Sequence, residues 1–238
     1  QRVYSCVEAE RVSPEAIVHD AYTRLLSRLP PDTEALWEEA KGFIELSQGV
    51  LILDDSTLDK PYAKQIELVT KHWSGKHHRV VRGINLESLV WSNGTRIVPV
   101  DCRLYAKAED QQTKNDPARA MVTIAKERGF EPEVVLFDSW YASLANLKHL
   151  RAQNWGWLCR LKSNRLVDPD NTGNRAIADL DIPDAGLQVH LKGYGFIKVF
   201  RTVTPHGDAQ HWATRQLDMT VEHWQAYAQQ AWCIETYH

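Results

Sequence analysis

Residues 50–61 read VLILDDSTLDKP. Four apolar residues, Val50 to Leu53, follow the punctuating Gly49 and have the length and character of a short buried strand. The strand runs straight into Asp54 and Asp55. Ionised carboxylates at the end of a buried strand need a donor, a counter-charge or a metal. Side chains alternate along a strand, so the two acids point to opposite faces. A second run, EVVLFD over 133–138, repeats the pattern and ends in Asp138.

The flanking sequence predicts what surrounds these strands. Two apolar, β-branched stretches, near 80–91 and 96–106, are split by Ser92-Asn93-Gly94, and Asn-Gly between such runs is a strong hairpin signal. Asp116-Pro117 opens a helix that runs to about Arg128 and is ended by Gly129. A helix over 142–153 and a strand over 155–161 come after Asp138. The order strand, hairpin, helix, strand, helix, strand predicts an α/β fold, a mixed sheet flanked by helices. Upstream, Ser13-Pro14-Glu15 reads as an N-cap followed by proline at the first helical position, predicting helices near 14–28 and 32–46. KHWSGKHHR, 71–79, reads as a Lys/His-rich loop. Residues 163–215 are rich in Gly, Asp, Asn and Pro, with short strands such as QVHLKG and FIKVFRTV, and read as a β-rich insertion. The last element, about 220–238, reads as an amphipathic helix with Trp224, Trp232 and Ile234 on one side and Glu235 near its end. The expected organisation is an N-terminal helical segment (1–48), an α/β core (49–162), the insertion (163–216) and a C-terminal core helix (217–238). Gln1 at the start and a helix-like stretch at His238 read as a fragment of a longer protein.

The 238 residues carry 43% hydrophobic and 25% charged side chains, an ordinary globular composition. No apolar run approaches the roughly 20 residues of a membrane span, and no signal peptide opens the sequence. Cys6, Cys102, Cys159 and Cys233 are widely spaced with no CxxC pair, which argues against a zinc knuckle and for reduced thiols, as in a cytoplasmic protein. The net charge of −3 by itself argues against nucleic acid, but its distribution is uneven. Residues 1–59 hold 12 acids and 5 bases. Residues 60–82 hold Glu67 against Lys60, Lys64, Lys71, Lys76, Arg79 and Arg82, with three histidines besides. Such a local excess suits either a polyanion-facing patch or a solvated loop.

Three acids carry the candidate chemistry: one of the Asp54-Asp55 pair, Asp138 and Glu235. Each follows apolar residues, and acids at strand ends together with one from a helix can converge at one rim of a sheet. Hard oxygen ligands with nothing softer nearby suit Mg²⁺ or Mn²⁺. Two such ions about 4 Å apart can activate water and stabilise a leaving oxygen in phosphodiester chemistry. Spacing alone favours the ordinary reading, in which each acid is a cap or a salt-bridge partner.

LILDDSTLDKPYAK, HWSGKHHRVVRGINLESLVW, VVLFDSWYAS, RLKSNR and WCIETYH, in this order, resemble the DDE transposases of bacterial insertion sequences, the cut-and-paste group with an RNase H-like catalytic core. The resemblance covers about residues 45–238. It implies a metal-dependent DNA nuclease and strand transferase with Asp55, Asp138 and Glu235 as catalytic and metal-binding triad, holding two Mg²⁺ or Mn²⁺ ions. Asp55 is preferred because it directly precedes the hydroxyl pair Ser56-Thr57; Asp54 is left to cap or hydrogen-bond locally. Transposon-end and target DNA, a homodimer in a synaptic complex, and a bacterial, nucleoid-associated location are further implications. Lys60, Lys71, Lys76, His77, His78 and Arg79 become candidate phosphate contacts, which fix position without reading sequence. Lys162 and Arg165 are candidates to line a DNA channel. Trp140, two residues past Asp138, is expected to pack under the sheet rim, with base stacking as the alternative. Trp232 is expected to seat the glutamate helix on the sheet.

The chain departs from the family at two places. The family's Tyr and Arg, seven and four residues before the glutamate, are replaced by Ala228 and Ala231, with Tyr227 one place off. The family's Lys, seven residues after the glutamate, falls beyond His238. These departures keep two alternatives open: a DNA-binding remnant that does not cut, and another RNase H-like nuclease. A glycosidase using paired carboxylates has no sugar-binding aromatic cleft to support it.

Overall fold

The computed structural model describes residues 5–29, 32–74, 79–105, 113–204 and 207–237. The chain divides into two compact units, Gln1–Ala35 and Leu36–His238.

In the smaller unit, α1 (Cys6–Val12) is capped by Ser5, whose Oγ accepts the Glu8 N–H, and α2 spans His19–Leu26. Ser13-Pro14 therefore does not open a long helix. Ser13 ends α1, and α2 starts where the Glu10 carboxylate accepts the His19 N–H at 2.9 Å. Neither helix buries a residue. The division between units falls within α3 (Thr33–Ala40), which continues only as a single 3-10 turn, Lys41–Phe43, and so is shorter than expected.

Among the described residues, the larger unit is built on a nine-stranded sheet. Its strands are β1 (Val50–Asp59), β2 (Thr70–Ser74), β3 (Arg79–Ser92), β4 (Ile97–Tyr105), β5 (Val134–Phe137), β6 (Trp157–Leu161), β9 (Leu187–Leu191), β10 (Gly195–Val203) and β11 (Ala209–Thr214); β7 (Leu166–Val167) and β8 (Arg175–Ala176) pair apart from it. The order is β2-β3-β1-β5-β6-β11-β10-β9, with β4 also on β3. β1, β5 and β6 are parallel, whereas β3 and β11 flank them antiparallel. This is the mixed sheet flanked by helices expected of an RNase H-like core. The hairpin β3–β4 turns at Gly94, whose φ of 88° favours glycine. Gly49, at φ 73°, starts β1 so close to β3 that a Cβ there would lie 2.5 Å from the Ser92 carbonyl oxygen.

Period-two alternation divides the core between the two sheet faces. Leu51, Leu53, Leu89, Val135, Phe137, Cys159 and Leu161 pack with Trp37 of α3, with α4 (Asn115–Glu127) and with α5 (Leu144–Ala152). Trp37 and Ala40 thus belong to the core of the larger unit, not to a separate N-terminal segment running to residue 48. Val50, Ile52, Leu136, Leu158, Phe200 and Trp212 pack on the other face with Trp224 of α6 (Val221–Ala231) and Ile234 of α7 (Cys233–Tyr237).

Three further expectations are corrected. Residues 70–74 form β2, not a loop: Lys71 pairs with Arg82 and Trp73 with Val80 along β3. The C-terminal helix is not continuous, because α6 ends at Ala231, with Trp232 as its C-cap, and Glu235 lies on the short α7. Trp232 is 57% exposed and does not seat the helix; buried Trp224, stacked on Phe200, and Ile234 do. Among the described residues, no helix is long and apolar enough to cross a membrane.

Candidate active site

β1 and β5 lie side by side in register, with Leu53 paired to Phe137, so the residues that follow emerge together at one end of the sheet. Asp54 shares the face of Val50 and Ile52, and Asp138 follows Leu136 on that same face. α6 and α7 pack on this face and bring Glu235 to it. Asp54, Asp138, Glu235 and Arg160 line one cavity of about 90 Å³, with Trp212 of β11 and Trp232 at its walls.

Asp55, the preferred first acid, is not among the residues lining this cavity. Alternation turns it to the opposite face. There Lys114 Nζ and Asn85 Nδ2 each donate to Asp55 Oδ2 at 2.7 Å, and the Tyr141 hydroxyl donates to Oδ1 at 3.2 Å. The structure thus brings Asp138 and Glu235 together with Asp54. The sequence shows that the two aspartates diverge. Which face the C-terminal helices would cover is a tertiary matter.

The electrostatics fit a crowded anionic cavity. Burial pushes the Asp54 carboxyl up to about 7, and the charges of Asp138, Asp55 and Glu235 add to the rise. Burial also raises Asp138, as does the charge of Asp55. The backbone N–H groups of Trp140 and Tyr141 and the nearby Arg160 guanidinium counter it. Trp140 N–H donates to Asp138 Oδ1 at 2.8 Å. Arg160 was not foreseen as a site residue, although its place two residues before Lys162 on the strand next to Asp138 was visible.

Among the described residues, no three or more acids, histidines or cysteines form a ready-made metal-binding group. The donor chemistry nonetheless suits a hard cation. Asp54 and Asp138 are two oxygen donors whose ionisation is held back by burial and like charge, and a cation would relieve both. Mg²⁺ is commonly held by one or two carboxylates and completes its shell with water and substrate phosphate. Glu235, exposed at the cavity, is the third available oxygen donor.

The expected DNA contacts fall in separate places. Lys60 follows β1, Lys71 lies on β2 and Arg79 begins β3, all exposed. Lys76, His77 and His78 lie outside the described residues. Lys162 and Arg165 follow β6, where Lys162 Nζ sits 4.3 Å from the centre of the Trp140 ring. Trp140 is 64% exposed, so it does not pack under the rim as expected. Tyr227 is used structurally: its hydroxyl donates to Glu133 Oε2 at 3.0 Å.

A second polar group went unforeseen. Glu87 lies directly opposite Asp55 on β3, fully buried, and neither carboxylate oxygen has a hydrogen-bond partner among the described residues. The signal was present in GINLESLVW, where alternation puts Glu87 on the face of Leu89 and Trp91.

No curated protein matches the chain. Among solved structures, it is similar to the Drosophila P element transposase strand transfer complex, with 12% identity and a TM-score of 0.23, over 64% of this chain and 37% of that one. It is also similar to the Mos1 transposase paired-end complex with left transposon end, with 14% identity and a TM-score of 0.26, over 64% of this chain and 53% of that one. The chain thus spans about a third to a half of the length of these relatives. The family model described as DDE superfamily endonuclease matches residues 19–229, which include both aspartate strands and stop short of Glu235. By that match over most of its length, the chain belongs to the DDE superfamily endonucleases.

Proposed function

We propose that this chain carries the catalytic site of a metal-dependent DNA transposase, cutting transposon ends and joining them to target DNA at the cavity of Asp54, Asp138 and Glu235. The observation that carries the reading is the convergence of these three carboxylates, from two adjacent parallel strands and a helix packed over them, beside Arg160. Asp54 and Asp138, with Glu235, would hold Mg²⁺ or Mn²⁺. Bound there, the metal supplies water activation and charge stabilisation of the leaving oxygen. Arg160 offers a guanidinium to a phosphate oxygen, and such donors hold the scissile group in line. The Trp140 N–H fixes the orientation of the Asp138 carboxylate. Lys60, Lys71 and Arg79 are assigned to phosphate contacts, and a homodimer on paired ends is the proposed assembly. In a bacterial cell, the DNA substrate would place the protein at the nucleoid.

The test is nicking of supercoiled DNA carrying the transposon ends, with Mn²⁺ or Mg²⁺ and with chelator. Asp138→Asn should lower nicking at least about 100-fold, the scale of losing a group that stabilises developing charge, while DNA affinity holds. Asp54→Asn should do the same and Asp55→Asn should cost less. Equal nicking by wild type and Asp138→Asn would remove the reading. A second reading, DNA binding without cutting, is favoured by Ala228 and Ala231 and by the absence of a closed three-donor group among the described residues. Metal-independent binding with no nicking by the wild type would select it.

A further inference from the structure

The two aspartates of the acidic cavity sit just past the point where their strands part. The register of β1 with β5 stops at Leu53 and Phe137, while β1 continues along β3 to Asp59. Asp54 and Asp138 are the next residue of each segment. A small hard cation tolerates little error in the spacing of its donors, and a working site holds its groups to within about 0.5 Å. Whatever fixes the two segments beyond the ladder therefore belongs to the site.

The opposite face of the sheet supplies such a link. Next to Asp54, Asp55 turns to the face of α4 and α5. Three residues after Asp138, Tyr141 is 1% exposed and packs in the core of that same face. The Tyr141 hydroxyl donates to Asp55 Oδ1 at 3.2 Å, which joins the two segments behind their cavity-facing carboxylates. Phenylalanine would fill the same space; what tyrosine adds is the link. Both partners are also tied to the start of α4. Lys114, the N-cap residue of α4, donates to Asp55 Oδ2. Asn146 of α5 donates through Nδ2 to the Tyr141 carbonyl oxygen at 2.9 Å and to Asn115 Oδ1 at 2.6 Å, and its Oδ1 accepts from Arg119 at 2.8 Å. Asn115 and Arg119 lie on α4, so the hydrogen bonds close a ring from Asp55 through Tyr141, Asn146 and α4 back to Lys114. The turn that carries Tyr141 is itself tight. Its N–H donates to the Asp138 carbonyl oxygen at 3.3 Å, and the Trp140 N–H holds the Asp138 carboxylate. A shift of the Tyr141 ring is therefore passed on to Asp138.

We infer that Tyr141, Asp55 and Asn146 are positioning residues for the metal: their ring on the back of the sheet fixes the separation of Asp54 and Asp138, and with it the cavity's affinity for Mg²⁺ or Mn²⁺. This rests on the reading of the acidic cavity as a metal site. None of the three residues lines that cavity, so their effect passes through the two short segments that they join. Outer partners of this kind commonly contribute about 10–100-fold to metal affinity.

The experiment titrates the whole chain with Mn²⁺ in the absence of DNA and reads the free ion by electron paramagnetic resonance, at a temperature where every variant is folded. Asp138→Asn, which removes a proposed ligand, should lose most of the binding. Tyr141→Phe should weaken it roughly 10-fold. Tyr194→Phe is the control for lost stability alone: it removes another buried hydroxyl, which accepts from Trp157 Nε1 at 2.8 Å, and should lower the melting temperature while leaving Mn²⁺ affinity as in the wild type. Asp55→Ala should also weaken binding, and adding Tyr141→Phe to it should cost nothing more, because the hydroxyl then has no acceptor to hold. Wild-type affinity in Tyr141→Phe, or an equal loss in Tyr194→Phe, overturns the inference, and the loss in Asp138→Asn would leave the metal site standing. Losses that multiply in the double variant overturn the link between Tyr141 and Asp55. Equal binding by wild type and Asp138→Asn, or no binding by the wild type, would remove the metal site, and this inference with it.

Discussion

Replacing Glu87 by glutamine should make the protein less sensitive to alkaline pH. Glu87 is 0% exposed, both its oxygens lack partners among the described residues, and its ladder neighbour is Asp55. Burial pushes its carboxyl up to about 8 from the usual 4.5; the charges of Asp55 and Asp116 push the same way and Lys114 opposes them. Arg103, across the ladder on β4, is engaged by Asp101. An acid with a raised folded-state pKa keeps its proton in the native state after the unfolded chain has lost it. The native state therefore binds more protons between about pH 4.5 and 8, and stability falls as pH rises through that window. The full shift corresponds to on the order of 5 kcal/mol, of which about 3 kcal/mol falls between pH 5 and pH 8, as an upper bound. Glutamine has the shape of the protonated acid and cannot ionise. Urea unfolding of wild type and Glu87→Gln at pH 5, 6, 7 and 8 should show similar stability at pH 5 and a growing advantage for the variant toward pH 8. Taking the difference cancels the other titrating groups. A difference that stays constant with pH would refute the reasoning and require a donor or cation on Glu87 that holds it ionised.

Lys114→Met should destabilise the fold by about 1–3 kcal/mol, because it leaves the half-buried Asp55 without its cation; a double cycle with Asp55→Asn, read by urea midpoints, should recover most of the loss. Trp224→Ala should cost about 3–5 kcal/mol by opening a void against Phe200 and Trp212, and thermal melts check it. Since α6 leads directly into α7, the same variant at a temperature where it stays folded should also lose Mn²⁺-dependent nicking. Retained nicking would mean that Glu235 is not needed.

Much of this architecture was legible because local signals and tertiary needs agree. Asn93-Gly94 between two β-branched runs turns the hairpin, and VVLF between polar neighbours can only be a short buried strand. The failures occur where neighbours in space decide. Lys71 and His72 look like loop residues because β2 is an edge strand whose side chains stay polar. Ser13-Pro14 carries an N-cap pattern, yet Glu10 caps the following helix from outside. The choice between Asp54 and Asp55 depends on which face α6 and α7 cover, and no residue near β1 reports that. Trp140 and Trp232 are exposed although tryptophan is usually buried, and both line cavities at the sheet's end.

The three strands β9, β10 and β11 add to the free side of β6 rather than folding by themselves. Trp212 on β11 walls the acidic cavity, and Phe200 on β10 carries Trp224. The segment between β6 and α6 is thus a foundation for the glutamate, and redesign has to respect two zones within it. The connection between the end of β10 at Val203 and the start of β11 at Ala209 is a place to attach a tag or a guest domain. Shortening either strand by a residue would flip its side chains to the other face, withdrawing Phe200 or Trp212 and carrying the third carboxylate away from its partners.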